Sequence, residues 1–476
     1  MAELHEECGV FGMWLPAQGD VADKAYYALY ALQHRGQEGC GIAVNRDGAI
    51  TTHKGLGLVH DVFDQRSLER LGQGSMAVAH ARYGTTGSGK LSNVQPLVVD
   101  HLKGSLVLAH NGNLTNDAML RRSLELEGSI FHTTSDSEVI AYILTRSRLS
   151  TKTIEEAMEK TMQVIKGAYS LVIMTRSSLL AVRDPFGFRP LCIGTLPEGG
   201  YVFASESCAL DAVGATFLRD VEPGEIVSVR DGKLSSHRTF CGTKPKRLCV
   251  FELIYFARPD SLVDGISVHI ARLRAGAFLA LEHPAQADVV IGVPDSGIDA
   301  AIGYSRQSGI PYGIGFIKNK YIGRTFIQPG QGNREDQVRI KLNPVSSTVK
   351  GKRVVLIDDS IVRGTTSRRI VRLLREAGAK EVHFRSSAPK FLHPCYFGTD
   401  IDSSSQLFAY QYSDGQMRRL LDVDSLGFLS VENVTKLSDH PDVGGFCTAC
   451  FSGDYPVSPE TPLGKDRLAE GASDEQ

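Results

Sequence analysis

Residues 354–367 read Val-Val-Leu-Ile-Asp-Asp-Ser-Ile-Val-Arg-Gly-Thr-Thr-Ser and are the most informative stretch of the chain. The apolar start predicts a strand that ends in two acids, after which a loop of Gly, Thr and Ser opens a helix over 366–377. Backbone N–H groups in such a loop and at a helix N-terminus bind phosphate. The loop lacks the lysine of an ATP-binding Walker A motif. A solvated turn with helix N-capping is the alternative explanation of the paired acids.

Strands and helices alternate on both sides of this motif. Apolar residues predict strands over 287–293 and 352–357, and a helix over 297–308 that ends at Gly309. Such alternation is typical of an α/β domain with a mostly parallel sheet and helices on both faces.

The first half of the chain has a different pattern. Short apolar runs separated by Gly, Asn and Asp predict buried strands, and helical patterns lie near 21–33 and 136–149. We therefore expect a strand-rich α+β domain built from layers of sheet and helix. The predicted strands include 76–80, 105–110, 170–174 and 200–204.

Composition limits the domain count and excludes several classes of protein. The chain has 476 residues, of which 42% are apolar, and this suits either three globular domains of ordinary size or two large ones. Its 52 Lys and Arg against 54 Asp and Glu leave a net charge of −2, which argues against a nucleic-acid partner. No apolar run approaches the ~18 residues of a membrane span, and the acidic N-terminus does not resemble a secretory signal. Nine cysteines suit reduced thiols, so we expect a cytoplasmic protein with no membrane contact.

Polar and basic residues around 231–248 mark the predicted boundary between the domains. We place the first domain at 8–240 and the second at 241–456. The last segment, 457–476, is rich in Pro, Glu, Asp and Gly, and we expect it to be a disordered tail.

Cys8 and several later segments form an ordered set in the first domain. Taken alone, Cys8 is better explained as a small buried residue in a strand. Taken in order, the set resembles the glutaminase domain of the class II, N-terminal-nucleophile amidotransferases, which has αββα layers. The segments are Glu-Cys-Gly-Val-Phe-Gly at 7–12, Leu-Gln-His-Arg-Gly-Gln-Glu at 32–38, His-Ala-Arg-Tyr-Gly-Thr-Thr-Gly at 80–87, His-Asn-Gly-Asn at 110–113 and Ser-Asp-Ser-Glu at 135–138.

The resemblance implies that Cys8 attacks the side-chain amide of glutamine. Removal of residues 1–7 as a propeptide would give Cys8 a free α-amine, so that one residue supplies both the nucleophile and the base. The side-chain NH₂ of Asn111 and the backbone N–H of Gly112 would form the oxyanion hole.

Two charged residues are expected to bind glutamine on the same resemblance. Arg82 would bind the α-carboxylate, because a guanidinium group forms two parallel hydrogen bonds with it. Asp136 would pair with the substrate ammonium group. The alternative explanations are a surface charge for Arg82 and a helix N-cap for Asp136.

The stretch 354–367 resembles the fingerprint of type I phosphoribosyltransferases, which bind 5-phosphoribosyl-1-pyrophosphate (PRPP). On that resemblance the paired acids contact the ribose hydroxyls and Mg²⁺, and residues 363–367 hold the 5′-phosphate. Val-Pro-Asp-Ser-Gly at 293–297 would bind pyrophosphate, and 318–336 would form a flexible lid. The implied PRPP ligands are Asp295, Ser296, Gly297, Lys318, Asp358, Asp359, Ser360, Arg363, Gly364, Thr365, Thr366 and Ser367, and the implied Mg²⁺ ligands are Ser296, Asp358 and Asp359.

Four cysteines of the second domain are candidate metal ligands. Cys447 and Cys450 form a C-x₂-C pair, and Cys249 and Cys395 lie far from it in the sequence. Spacing alone leaves zinc, a redox pair and an iron–sulfur cluster open. The surrounding segments, 247–259, 393–398 and 445–456, resemble the branch of glutamine PRPP amidotransferases that carries a 4Fe–4S cluster, which implies these four cysteines as its ligands.

Glutaminase motifs followed by a PRPP motif extend the resemblance to glutamine PRPP amidotransferases over residues 8–456, in the branch with a cluster and a propeptide. The resemblance implies that glutamine, PRPP and water give 5-phosphoribosylamine, glutamate and pyrophosphate, with ammonia channelled internally. It also implies a homotetramer inhibited by AMP and GMP, with one Mg²⁺ and one cluster per subunit. Two alternatives are a PRPP-sensing regulator, against which the missing basic stripe argues, and a sugar-phosphate aminating enzyme, against which the PRPP motif argues.

Overall fold

A computed structural model of the chain describes residues 7–84, 89–319, 342–401, 403–438 and 445–460. Residues 1–6 of the predicted propeptide, 320–336 of the predicted lid and 461–476 of the predicted tail lie outside the described residues. Among the described helices, none is long and apolar enough to cross a membrane.

Two antiparallel sheets form the first domain. Their strands are β1 (Gly9–Gly19), β2 (Gly39–Arg46), β3 (Ala49–Leu56), β4 (Gly74–Arg82), β5 (Leu97–His101), β6 (Gly104–Leu114), β7 (Gly167–Met174), β8 (Ser178–Arg183), β9 (Cys192–Thr195), β10 (Tyr201–Ala204), β11 (Thr216–Asp220), β12 (Ile226–Arg230) and β13 (Lys233–His237). The order β11-β9-β10-β1-β4-β2-β3 makes one sheet, and the order β13-β12-β8-β7-β6-β5 makes the other. Cys8 directly precedes β1, which lies in the middle of its sheet.

Helices cover the outer faces of both sheets. They are α1 (Val21–Ala31), α2 (Val59–Val62), α3 (Gln65–Leu71), α4 (Asp117–Leu126), α5 (Asp136–Leu149), α6 (Ile154–Met162) and α7 (Ser207–Ala212), with a 3₁₀ turn at Leu91–Asn93. Apolar residues of α1 and α7 pack on the first sheet, those of α5 and α6 pack on the second, and a separate apolar cluster fills the space between the sheets. This is the αββα arrangement that the sequence motifs implied.

The apolar runs of the sequence become strands because both of their faces are covered. All residues of β7, Gly-Ala-Tyr-Ser-Leu-Val-Ile-Met, are buried between the helix layer and the other sheet. The predicted strands at 76–80, 105–110 and 170–174 lie within β4, β6 and β7, and the one at 200–204 corresponds to β10, which begins one residue later. The helix predicted over 136–149 is α5.

The second domain is built around a parallel sheet. Its strands are β14 (Arg247–Cys249), β15 (Leu262–Val263), β16 (Ile266–Ser267), β17 (Val289–Gly292), β18 (Phe316–Lys318), β19 (Leu342–Pro344), β20 (Arg353–Asp358), β21 (Glu381–Ser386), β22 (Ser425–Phe428) and β23 (Gly445–Cys447). Its helices are α8 (Val268–Glu282), α9 (Gly297–Ser308), α10 (Ser346–Val349), α11 (Thr365–Glu376), α12 (Phe408–Gln411), α13 (Asp414–Leu421), α14 (Val431–Val434) and α15 (Ala449–Ser452), with a π-helical turn at Glu252–Phe256.

Strands β17, β20, β21 and β22 pair in that order, all in parallel. One apolar cluster packs on each face of this sheet, which confirms the predicted α/β architecture. Because β17 and β20 are neighbours, the loops that follow them lie side by side at the carboxyl edge of the sheet. This edge is the usual ligand site of such folds.

Backbone pairing joins the two domains directly. The Arg247 N–H donates to the Phe186 carbonyl at 2.7 Å, and the Cys249 N–H donates to the Phe188 carbonyl at 3.1 Å. The rings of Phe188 and Phe397 stack with centroids 4.3 Å apart. Strand β14 is therefore held against the first domain on one side and pairs with β23 on the other.

Candidate active sites

The Cys8 thiol is held by backbone groups at the end of β4. The Cys8 Sγ donates to the Tyr83 carbonyl at 3.2 Å and lies 3.4 Å from the Tyr83 N–H. On the other side, Arg35 Nε donates to the Cys8 carbonyl oxygen at 3.0 Å. Both the thiol and the carbonyl of this one residue are thus fixed, and Arg35 belongs to the 32–38 segment singled out in the sequence.

Burial raises the pKa of the Cys8 thiol to about 12 while Glu7 precedes it. The thiol is therefore neutral near pH 7, because a group five units below its pKa is ionised on the order of one part in 10⁵. A thiolate at this position needs a base to accept the thiol proton. The α-nitrogen of Cys8 cannot be that base while it is part of the peptide bond to Glu7.

Asn111 and Gly112 lie in β6, as the motif at 110–113 requires. The Asn111 side chain is fully buried, and neither its oxygen nor its nitrogen has a hydrogen-bond partner among the described residues. Gly112 adopts φ +142°, and a Cβ there would lie 2.1 Å from the Ala168 carbonyl oxygen, so a side chain is excluded. A Cβ built on Gly398 would lie 3.5 Å from the Gly112 carbonyl carbon and 3.3 Å from Glu7 Oε2, which places Gly112 beside the residue before Cys8.

The two predicted glutamine-binding residues are both buried. Arg82 ends β4, and its Nη1 lies 3.4 Å from Glu38 Oε2, so the guanidinium is not a surface charge. Asp136 is the first residue of α5, whose N-cap is Ser135, and its Oδ2 accepts from the Leu114 N–H at 3.0 Å. Asp136 therefore ties the end of β6 to the start of α5.

The two predicted PRPP loops meet through hydrogen bonds. Ser296 Oγ donates to Asp359 Oδ2 at 2.5 Å, and Ser360 Oγ donates to Asp359 Oδ1 at 2.5 Å. The Asp359 N–H donates to Asp358 Oδ1 at 3.0 Å. Burial and the neighbouring carboxylate raise the pKa of Asp358 well above its usual value, and burial also raises the pKa of Asp359. Two buried adjacent carboxylates of this kind favour a bound cation.

The predicted phosphate loop leads into α11, which begins at Thr365, one residue before the predicted start. Gly364 precedes the helix with φ +73°, and a Cβ there would lie 2.9 Å from the Phe408 ring. Thr365 and Thr366 form the exposed first turn, and Ser367 is buried. Outside the loop, Lys318 Nζ donates to Asp295 Oδ2 at 2.6 Å, which joins β18 to the predicted pyrophosphate loop.

A buried ion cluster between the domains was not predicted from the sequence. Arg35 pairs with Glu206 at 2.6 Å and with Glu252 at 2.8 Å, and Arg189 pairs with Glu252 at 3.2 Å and with Glu7 at 2.6 Å. All five side chains are at most 1% exposed. One signal was visible beforehand, since Glu252 is the only charge in the apolar run 248–257.

The segment from Cys395 to Ile401 touches the first domain at several points, and this too was missed. The Tyr83 hydroxyl donates to Asp400 Oδ2 at 3.3 Å, and Asn113 Nδ2 donates to the Tyr396 carbonyl at 3.0 Å. Tyr83 and Asn113 both lie next to predicted glutaminase residues. A segment of the second domain therefore reaches the surroundings of Cys8.

The four candidate cysteines come from three separate parts of the chain and are neighbours in space. Cys249 and Cys447 are register partners in the β14–β23 pair. Burial, together with the nearby sulfur atoms, raises the pKa of the Cys447 thiol to about 12 and also raises those of Cys249 and Cys450. Cys395 contributes to all three of these shifts. Within the described residues, no three His, Cys, Asp or Glu side chains lie close enough to hold a single metal ion.

Comparison with protein families agrees with both halves of this arrangement. Residues 83–212 match the family described as glutamine amidotransferase domain, and residues 264–390 match the phosphoribosyl transferase domain. A chain that joins these two domains is a glutamine-dependent enzyme of phosphoribosyl transfer.

Relatives match nearly the whole chain. The amidophosphoribosyltransferase of Methanocaldococcus jannaschii is 48% identical over 475 residues, covering 96% of this chain and 100% of the relative. That of Bacillus subtilis is 49% identical over 459 residues, covering 95% of each. The solved structure of B. subtilis glutamine PRPP amidotransferase complexed with ADP and GMP is 47% identical with a TM-score of 0.89, covering 97% of this chain and 100% of that one. The chain belongs to the amidophosphoribosyltransferase family.

This enzyme therefore converts glutamine, PRPP and water into 5-phosphoribosylamine, glutamate and pyrophosphate, a step of purine biosynthesis. The fold that the motifs predicted is confirmed by these comparisons. The two alternatives, a PRPP-sensing regulator and a sugar-phosphate aminating enzyme, are set aside because the full-length relatives are amidophosphoribosyltransferases.

Proposed function

We propose that the enzyme frees ammonia from glutamine at Cys8 after residues 1–7 have been removed as a propeptide. The new α-amine, with an ordinary pKa of about 7.7–8.0, would accept the thiol proton that the buried precursor retains. The bond to be cleaved lies between two buried residues, Glu7 and Cys8. Because a separate protease needs an exposed, extended segment, this burial argues that the chain cleaves its own peptide bond.

In the proposed reaction the Cys8 sulfur attacks the side-chain amide carbon of glutamine. The Asn111 NH₂ and the Gly112 N–H stabilise the negative oxygen, ammonia leaves, and water hydrolyses the glutamyl thioester to glutamate. The single observation that supports this assignment most is the buried Asn111 amide, which has no partner among the described residues. Such a donor is held ready for a charge that develops only during the reaction. Arg82 and Asp136 are proposed to bind the α-carboxylate and the ammonium group of glutamine.

The second step is proposed to take place at the loops after β17 and β20. Asp358 and Asp359 would bind the ribose hydroxyls, and residues 363–367 would bind the 5′-phosphate at the start of α11. Asp295, Ser296, Gly297 and Lys318 would bind pyrophosphate, and Ser360 would support the acids. Ammonia then attacks C1 of the ribose and pyrophosphate leaves.

Ser296, Asp358 and Asp359 fit a Mg²⁺ ion, because hard cations take carboxylate and hydroxyl oxygens as ligands. Burial raises the pKa of both acids, and a bound cation would favour their charged forms. When bound, Mg²⁺ would neutralise the charge of the departing pyrophosphate. The protein's own part is to place the two carboxylates and the Ser296 hydroxyl together.

We propose that Cys249, Cys395, Cys447 and Cys450 hold a 4Fe–4S cluster. The residues fit, because four thiols from three segments adjoin one another beside an apolar cluster, and thiolates are the usual ligands of such clusters. A cubane also separates its thiolates more widely than one zinc ion does. The test is metal analysis of oxygen-protected protein: about four irons per chain support the proposal, and one zinc per chain contradicts it.

We also propose an oligomeric state, a cellular location and a mode of regulation for the enzyme. We infer a homotetramer in the cytoplasm with domains at 8–240 and 241–456, inhibited by AMP and GMP, since a relative is described as complexed with ADP and GMP. Ammonia is proposed to pass internally from Cys8 to the ribose, and the segment from Cys395 to Ile401 supports this because it reaches from the second domain to Tyr83 and Asn113.

Replacing Cys8 tests whether glutamine and PRPP are used at two separate sites. Cys8→Ala is expected to abolish glutamine-dependent activity and to leave ammonia-dependent consumption of PRPP unchanged. Cys40→Ala is the matched control, because Cys40 is a fully buried thiol of the same domain in β2, and it is expected to keep both activities. Loss of both activities in Cys8→Ala, with the fold intact by circular dichroism, would contradict the assignment.

A further inference from the structure

The last residue of the proposed propeptide is locked into the domain interface. Glu7 Oε1 lies 2.6 Å from Arg189 Nη2 and accepts from Thr399 Oγ1 at 3.2 Å. Arg189 also donates to the Phe397 carbonyl at 2.8 Å and to Glu252 at 3.2 Å. The Glu7 side chain is 1% exposed. These contacts form a closed seat for one carboxylate.

A buried ion pair at this position is unexpected for a residue that is to be discarded. Taking two charges out of water is costly, and an exposed leader would avoid that cost. The mature chain lacks Glu7, so the pair can act only before the propeptide is removed. Its effect must therefore concern the precursor.

Both sides of the Glu7–Cys8 peptide bond are held by buried arginines. Arg189 holds the Glu7 side chain, and Arg35 Nε holds the Cys8 carbonyl oxygen at 3.0 Å. The Cys8 thiol is fixed against Tyr83. The bond is thus held on both sides, next to the Cys8 thiol.

We propose that Arg189 and Thr399 form a carboxylate seat that positions the Glu7–Cys8 peptide bond for hydrolysis, in which water cleaves the bond to leave a carboxylate on Glu7 and an α-amine on Cys8. Arg189 is the main positioning residue. The inference rests on the proposed removal of residues 1–7. Arg189 comes from the first predicted domain and Thr399 from the second, so the seat is complete only when the two are docked. Propeptide removal therefore follows docking of the domains.

The test is a time course of intact mass on the full chain after synthesis, for the natural sequence and for Glu7→Ala, Glu7→Gln and Arg189→Met. Glu7→Ala and Arg189→Met are expected to slow removal about 10- to 100-fold, since a misplacement of about 1 Å costs on the order of 100-fold in rate. Glu7→Gln keeps an acceptor oxygen and is expected to fall between. Once processed, both Glu7 variants yield the same mature chain as the natural sequence, so altered stability of the product cannot explain the result.

A double variant separates a specific pair from two independent defects. Glu7→Ala combined with Arg189→Met is expected to be no slower than the slower single variant, because the two residues act through one contact. Multiplied effects would overturn the seat.

Arg385→Met is the matched control. Arg385 is a buried arginine of β21, and it donates to the His283 carbonyl at 2.9 Å and to Ser425 Oγ at 3.0 Å, within the second domain. The Arg385→Met chain is expected to lose the propeptide at the natural rate. If Arg385→Met were as slow as Arg189→Met, or if Glu7→Ala were processed at the natural rate, the seat would be wrong. If the natural chain itself kept residues 1–7, the proposed removal would fail instead.

Discussion

Glu252 is the residue whose replacement tests most directly how the two domains are joined. Its carboxylate accepts from Arg35 Nη2 at 2.8 Å, from Arg35 Nη1 at 2.9 Å and from Arg189 Nη1 at 3.2 Å. Glu252→Ala removes all three bonds and leaves buried guanidinium charges with fewer partners. Breaking a buried pair in this way costs about 3–5 kcal/mol. Arg35 keeps Glu206 at 2.6 Å, so we expect a loss near the lower limit, about 3 kcal/mol.

A loss of this size lowers the unfolding temperature by about 6–12 °C, at about 2–4 °C per kcal/mol. The glutamine-dependent and ammonia-dependent activities should fall by different amounts, because Arg35 also donates to the Cys8 carbonyl. We expect glutamine-dependent kcat/KM to fall at least about tenfold, as for a nucleophile misplaced by a fraction of an ångström. Ammonia-dependent activity should fall much less.

The assay is a thermal melt together with the two activities measured on the same preparation. Glu225→Gln is the control, since Glu225 is equally buried but pairs with Arg219 inside the first domain. It should lower stability without changing the ratio of glutamine-dependent to ammonia-dependent activity. Equal losses of both activities in Glu252→Ala, or an unchanged melting temperature, would refute the reasoning.

Three further predictions concern the two sites. Asn111→Ala should lower the glutamine-dependent kcat by on the order of 10²–10³ with little change in ammonia-dependent activity, and steady-state kinetics would expose an equal loss of both as a contradiction. Asp359→Asn should abolish PRPP use but preserve hydrolysis of glutamine, which a glutamate-release assay measures. Because burial raises the pKa of the Cys8 thiol to about 12 in the precursor, Cys8 should resist iodoacetamide from pH 7 to 9 until residues 1–7 are removed; peptide mapping that found equal labelling before and after would contradict this.

Local sequence patterns predict most of the secondary structure. The strand that ends at Asp358, the left-handed Gly364 and helix α11 follow from one continuous stretch of sequence, because strand, turn and helix N-terminus are determined by neighbouring residues. The same holds for α5, which begins where the sequence Ser-Asp-Ser-Glu supplies its cap.

Contacts between distant segments were not predictable. Arg35 was singled out only as part of a motif, and nothing in its surroundings indicated that its partners would be Glu206 and Glu252. The pairing depends on how the domains dock, which periodicity does not encode. The grouping of the cysteines depends on the parallel pairing of β14 with β23, which brings Cys249 beside Cys447. No local sequence rule predicts this pairing.

The central claim is that one chain releases ammonia at Cys8 and uses it at the ribose bound near Asp358 and Asp359. The most direct measurement supplies glutamine labelled with nitrogen-15 in its side-chain amide, together with PRPP and an excess of unlabelled ammonium, under oxygen-free conditions. Magnetic resonance then follows the label. Labelled nitrogen on C1 of the ribose, little diluted by the external pool, is the predicted result; unlabelled product, or label found only as free ammonium, would contradict the account.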